Sequence, residues 1–314
     1  MWPDGFERNG RGAACSAAFG ESILFLFSYR TAMRSPDSPA PATTHGRAGR
    51  PRPVLAFVAG AIVGCLGGLI GLGGAEFRLP LLVALFAYAT REAIGLNVAL
   101  SLVTVAFSLA FRIGGSGADA LWPHAAAIVT LATGAIVGAF AGVAIGRRLS
   151  AWALTWVVAA LLVMLAIVMA SHAVDPQQGL RLSLSPAVQA SAALVAGVAI
   201  GVVASLLGVA GGELLIPTLV LLYAVDTKLA GTLSLAISLP TLLVSLARWR
   251  HARGDWSLWD ANRGLLVWMG AGSIAGAAAG ARLLGWVDAR VLSLMLAALL
   301  VYSALHLGWQ ARRV

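Results

Sequence analysis

Residues Ala59 to Pro80 read AGAIVGCLGGLIGLGGAEFRLP, and residues Ala196 to Pro217 read AGVAIGVVASLLGVAGGELLIP. Laid one over the other, Gly60, Gly64, Gly71, Gly74, Glu76 and Pro80 fall on Gly197, Gly201, Gly208, Gly211, Glu213 and Pro217, all at a shift of 137 residues. A constant offset over that many positions marks an internal duplication. In each copy an apolar run enters a glycine cluster and a shorter apolar run leaves it. Glycine accepts positive φ and close backbone approach, so each cluster reads as a break between two helical pieces.

Working outward, apolar segments lie near 54–73, 77–90, 93–111, 122–146 and 150–171, and again near 187–210, 214–225, 229–247, 264–284 and 289–308. Most have the roughly 20 residues that a helix needs to cross a hydrocarbon core, at about 1.5 Å per residue. Of the 314 residues 59% are hydrophobic and only 11% charged, against about 25% charged in soluble domains. The expected fold is therefore all-α: a polytopic transmembrane bundle of two homologous repeats, 53–175 and 186–309, behind a tail, 1–52. Five segments per repeat is an odd number, so the repeats should be inverted. The second and seventh segments are too short to span untilted, so each pairs with its predecessor as a broken or re-entrant hairpin, leaving eight or ten full spans.

Pro, Ser, Thr, Gly and Arg dominate the tail from Thr31 to Pro53, the composition of a disordered segment. Its apolar run Ile23–Tyr29 is too short to span, and Met33 offers an alternative start. The net charge of +9 comes from arginines in the tails and in short loops. That is the placement of topology signals rather than of a nucleic-acid stripe, so no nucleic-acid partner is expected. Arg47, Arg50, Arg52, Arg91, Arg147, Arg148, Arg248, Arg250, Arg253, Arg312 and Arg313 fall on one side, which is expected to be the cytoplasmic face of a bacterial inner membrane holding both termini. Cys15 and Cys65 form no metal or disulfide pattern.

The repeat shift also carries a polar stripe. Asn97, Ser101, Thr104 and Ser108 fall on Ser234, Ser238, Thr241 and Ser245, spaced i, i+4, i+7, i+11 along one helix face. Two readings stay open, a shared cavity lining or hydroxyls bonded to their own helices. Trp122 and Trp259 match as interfacial anchors, and Pro240, without a counterpart, should free a backbone carbonyl. Gly134, Gly138, Gly142 and Gly146 answer to Gly272, Gly276 and Gly280 after one inserted residue. Glycine at every fourth position makes a groove for close helix packing, within one chain or between two copies of a homodimer.

Three charged residues stand at the glycine breaks, away from the segment ends: Glu76, Arg78 and Glu213. An ionisable group at that depth costs at least about 2.5–3.5 kcal/mol, which asks for a partner or a purpose. A glutamate in the first turn of a half-helix is stabilised by the helix dipole alone, and Arg78 would then neutralise it. Alternatively Arg78, whose counterpart is Leu215, gives the positive field for an anion while a glutamate takes up a proton. The candidate substrate-binding set is these three with Gly73, Gly74, Gly211 and Gly212, joined by Asn97, Ser101 and Thr104 and by Ser234, Ser238 and Thr241. Arg112, at a stripe's end, reads as interfacial.

The doubled motif, GLGGAEFRLPLL and GVAGGELLIPTL, resembles the sulfite exporter family called TauE/SafE over about residues 54 to 308. The resemblance implies a bacterial inner-membrane carrier of sulfite, sulfoacetate or similar sulfur-containing anions, built as a duplicated helical bundle. Ala75, Glu76 and Arg78 stand where many members carry a third glycine and apolar residues. An enzyme would need a nucleophile with its base or a His-Glu-x-x-His helix, and His124, His172, His251 and His306 form no such spacing. No cofactor, metal or phosphate loop is expected. The alternative from another class is a non-transporting membrane scaffold or assembly factor, for which paired helix breaks would be unnecessary.

Overall fold

The structure, a computed structural model, describes residues 53–88, 90–116, 119, 121–146, 151–174, 185–207, 211–253 and 257–311. The amino-terminal tail, the linker between repeats, Gly208, Arg147, Arg148, Arg312 and Arg313 lie outside these residues, and with them the expectations placed there. The first repeat supplies α1 (Pro53–Ile70), α2 (Ala75–Ala84), α3 (Thr90–Ser116), α4 (Ala125–Gly146) and α5 (Ala151–Val174). The second supplies α6 (Pro186–Leu207), α7 (Gly212–Tyr223), α8 (Thr227–Arg253), the short α9 (Ser257–Ala261), α10 (Arg263–Leu283) and α11 (Ala289–Ala311). Among the described residues there is no strand.

Length divides these helices into two kinds. Eight have 18 to 27 residues, or about 27–40 Å, enough for a hydrocarbon core of about 30 Å. Six of them carry windows long and apolar enough to cross a membrane, while α5 and α11 contain shorter apolar stretches, Ala159–Val174 and Ala289–Leu305. The helices α2 and α7, with 10 and 12 residues, reach only about half-way, at 1.5 Å per residue. Eight long helices and two half-helices are thus the outcome of the ten apolar segments.

The breaks have the cause read from the sequence. At Gly71, Gly73 and Gly74 φ is 96°, 78° and 72°, and Gly211, ahead of α7, has φ 72°. A side chain at Gly74 would be strained by this backbone and would also meet Val63 Cγ1 at 2.5 Å. The chain therefore turns back, and α2 descends until Leu82 and Phe86 join the buried cluster that also holds Ala56, near the start of α1. In the second hairpin Gln189, near the start of α6, donates to the Leu222 carbonyl near the end of α7.

The repeats are inverted. Arg112, near the end of α3, donates to the Lys228 carbonyl and to Thr232 Oγ1 at the start of α8, so these equivalent helices run antiparallel. The repeats are also intertwined. The first helix of each lies along a helix of the other: α1 beside α10 and α6 beside α4, while α5 packs on α11 and α3 on α8. Contacts of Gly60, Gly64 and Gly68 with Met269, Ser273 and Ala277 step forward together, so α1 and α10 are parallel. Gly134 and Gly138 against Leu194 and Val198 repeat the arrangement between α4 and α6. The glycine grooves therefore pack helices within this chain, and they join the two repeats.

Thr227 at the start of α8 hydrogen-bonds Ser293 near the start of α11. The start of α11 is therefore at the end of the bundle where α1 and α3 finish, and Pro53 and the end of α11 lie together at the other. Polarity is distributed as a membrane demands. Val58, Ile62, Phe107, Val137, Phe140, Val195 and Leu305 are exposed on the outside of the long helices, while Arg78, Asn97, Ser101, Thr104, Ser234 and Ser273 are buried.

Candidate functional site where the two glycine turns meet

The first glycine turn is wedged into the second repeat. A Cβ at Gly212, the first residue of α7, would stand 2.9 Å from the Leu72 carbonyl oxygen, and one at Gly71 would stand 2.5 Å from Gly231 Cα on α8. Ser234 Oγ donates to the Gly71 carbonyl at 3.1 Å, and a Cβ at Gly73 would meet Val105 on α3. The two breaks, related by the duplication, are thus in direct contact at the interface of the repeats. The starts of α2 and α7 present the first-turn amides of two half-helices there.

Arg78 leaves the first turn of α2 and is fully buried. Its Nη1 donates to Ser101 Oγ at 3.0 Å, and its Nη2 donates to Thr104 Oγ1 at 2.7 Å and to Ser273 Oγ at 3.3 Å. A guanidinium has five N–H groups, so two remain, the buried and unpartnered Nε–H among them. Asn97 Nδ2 donates to the Ala75 carbonyl at 3.1 Å, fixing α3 to the start of α2, and Ser101 Oγ lies 3.5 Å from Asn97 Oδ1. Thr104 Oγ1 also donates back to the Leu100 carbonyl.

The carboxylates do not take up this cation directly. Both carboxylate oxygens of Glu76 are buried without a hydrogen-bond partner among the described residues, and the Arg78 charge acts on them through space. Glu213 lies within the field of Glu76. Among the described residues the one ion pair is Arg263–Asp260 on the surface. Two acidic groups from opposite repeats and one arginine thus share a buried region without a salt bridge.

The stripes part company. In the first repeat Asn97, Ser101 and Thr104 gather around α2 and its arginine, whereas Ser108 is buried without a partner. In the second, Ser234 holds the opposite turn, Ser238 Oγ is buried and unpartnered, Thr241 donates to the Ser238 carbonyl at 2.8 Å, and Ser245 donates to the Thr241 carbonyl. Contacts at the junction therefore describe half of the set, and bonding within the helix describes Thr241 and Ser245.

Two expectations are corrected. Arg112 is buried, not interfacial: Nε and Nη2 donate to the Gly68 and Leu69 carbonyls at 2.9 and 2.8 Å, capping the end of α1. The reason is that α3 continues to Ser116, so Arg112 stays within its helix. Trp122 is 75% exposed, but Trp259 is 6% exposed and packs in a cluster with Phe86, Tyr88 and Leu265, because α9 folds inward over the start of α10. Pro240 lacks the backbone donor that would reach the carbonyl four residues back, and α8 runs through it unbroken. Sequence reasoning missed Ser273. Its signal was weak: a hydroxyl between Gly272 and Gly276 where the other repeat, after the inserted residue, has Ala135.

Long apolar helices with an apolar exterior, inverted repeats and a buried polar junction between two broken helices define a polytopic integral membrane protein of helical-bundle type. The chain matches the family model described as sulfite exporter TauE/SafE over residues 12–169 and 193–314, and it belongs to that family. The family is one of membrane transporters rather than of enzymes. Neither a curated protein nor a solved structure matches the chain.

Proposed function

We propose that this protein is a secondary transporter that moves a small sulfur-containing anion, a sulfur oxyanion or an organosulfonate, by alternating access at the junction of the two glycine turns. The observation that carries this reading is Arg78: a buried guanidinium held by hydroxyls, in no ion pair with a carboxylate among the described residues, and left with an unpartnered Nε–H. Hydroxyls orient the cation without neutralising it, so its field remains for an anion. Half-helix starts beside it add backbone donors, and paired breaks in inverted repeats are where such carriers place their sites. The inner membrane of a bacterium, with the end that carries Pro53 and the end of α11 in the cytoplasm, fits the arginine-rich loops.

Flux of radiolabelled sulfite, sulfate and organosulfonates into proteoliposomes tests the proposal directly. Saturable uptake of one of them supports it; a sealed vesicle that takes up none overturns it.

Proton coupling belongs to the same reading, with Glu76 as the acceptor, because its carboxylate has no bonded partner and would be relieved by a proton. Glu76→Gln keeps the shape and removes the titration. The expected result is flux that no longer responds to an imposed proton gradient while uptake down the anion's own gradient continues. A Glu76→Gln protein that still accelerates with the gradient would move the proton site to Glu213 or abolish it.

A further inference from the structure

We infer that Ser273, on α10 of the second repeat, is a positioning residue that orients Arg78 for the anion. This rests on the reading of Arg78 as the anion's ligand. The repeats are pseudo-symmetric, and that symmetry supplies an internal comparison. Gly64 lies against Ser273, and at the equivalent crossing Gly201 lies against Ala135. Where α2 carries Arg78, α7 carries Leu215, which is buried. The two departures occur together: the half-site with the arginine has the hydroxyl, and the half-site with the leucine has a methyl group.

The bonding of Ser273 points the same way. Thr104, Thr218, Ser245 and Ser293 all donate to carbonyls of their own helices four residues back, the usual habit of hydroxyls in apolar helices. Ser273 is fully buried and, among the described residues, its hydrogen bond is the one from Arg78. Ser101 and Thr104 reach the guanidinium from α3 of the same repeat, so Ser273 is the contact that comes from the other repeat. Its backbone touches Gly64, and a Cβ on that glycine would stand 2.7 Å from Ser273 Cα, so the position of the hydroxyl is set by the packing of α10 on α1. The direction of the guanidinium therefore depends on how the two repeats are seated on each other.

The test is sulfite flux as a function of sulfite concentration for the wild type, Ser273→Ala, Ala135→Ser, Arg78→Lys and the double variant Arg78→Lys with Ser273→Ala. Loss of one hydrogen bond to a charged group predicts KM raised about tenfold for Ser273→Ala with the maximal rate within about twofold. Ala135→Ser should change neither quantity, and Ser273→Ala should add nothing once Arg78 is lysine, because a lysine cannot span the three hydroxyls. An unchanged KM in Ser273→Ala, or equal losses in both backgrounds, overturns the positioning role while the transport reading stands. If Arg78→Leu also leaves flux unchanged, or no anion is carried, the reading beneath it falls as well.

Discussion

Arg78→Leu is expected to lower anion flux in proteoliposomes by at least about a hundredfold, since charge-assisted hydrogen bonds contribute roughly 1.5–3 kcal/mol each and an oxyanion would take two. The variant should still insert and fold. Leucine occupies the equivalent position, Leu215, fully packed in the second repeat, and removing a buried cation also removes its desolvation cost. Ser101, Thr104 and Ser273 would lose a donor, but hydroxyls in helices turn readily to their own carbonyls, as Thr104 already does. Equal amounts of reconstituted protein, checked by a symmetric size-exclusion peak, make the comparison clean. Wild-type flux in Arg78→Leu would reduce the arginine to a counter-ion for Glu76 and remove the anion site.

The sequence made the architecture readable because the duplication supplied two measurements of each feature. A glycine cluster at one place is ambiguous, but the cluster, the glutamate and the proline recurring at one offset located both half-helices. Length then distinguished α2 and α7 from the spanning helices, since 10 and 12 residues cannot cross. What stayed hidden was partnership. Gly60, Gly64 and Gly68 announce a close neighbour, as do Gly272, Gly276 and Gly280, but spacing does not say which groove faces which. The exchange of α1 and α6 between repeats is a property of three-dimensional closure.

The same limit explains the site. Helical spacing placed Asn97, Ser101 and Thr104 on one face correctly, yet nothing in the spacing told that Arg78 would reach that face while Ser238 would be left without a partner. Ser273 belongs to a helix that the chain reaches nearly two hundred residues after Arg78, and only the exchanged packing brings them within hydrogen-bond distance. Arg112 was misplaced for a local reason. The apolar block ends at Phe111, but the helix does not, and a buried guanidinium was needed to satisfy the carbonyls left open where glycine ends α1.

The exchange of helices has its own test, Gly276→Leu, which is expected to cost at least about 3 kcal/mol of stability and to abolish flux. A Cβ at Gly276 would stand 2.7 Å from the Cys65 amide nitrogen and would also overlap the Ala61 carbonyl oxygen. Both obstacles are backbone, so no rotamer change relieves them and α1 must move away from α10. In a bilayer, apolar helices gain little from leaving lipid, and the attraction between them is largely close packing. Separating the two therefore removes one of the two glycine-groove contacts between repeats. The same displacement carries Ser273 away from Arg78 and shifts the glycine turn that α1 leads into, so binding and folding should fail together. Gly114→Leu is the control, because Gly114 is on an exposed face of α3 with nothing within 4 Å of an added Cβ. Thermal unfolding in detergent should show a large drop in Tm for Gly276→Leu and none for Gly114→Leu. A Gly276→Leu protein that melts like the wild type would mean that α1 does not lie on α10, and the inter-repeat placement of the anion site would go with it.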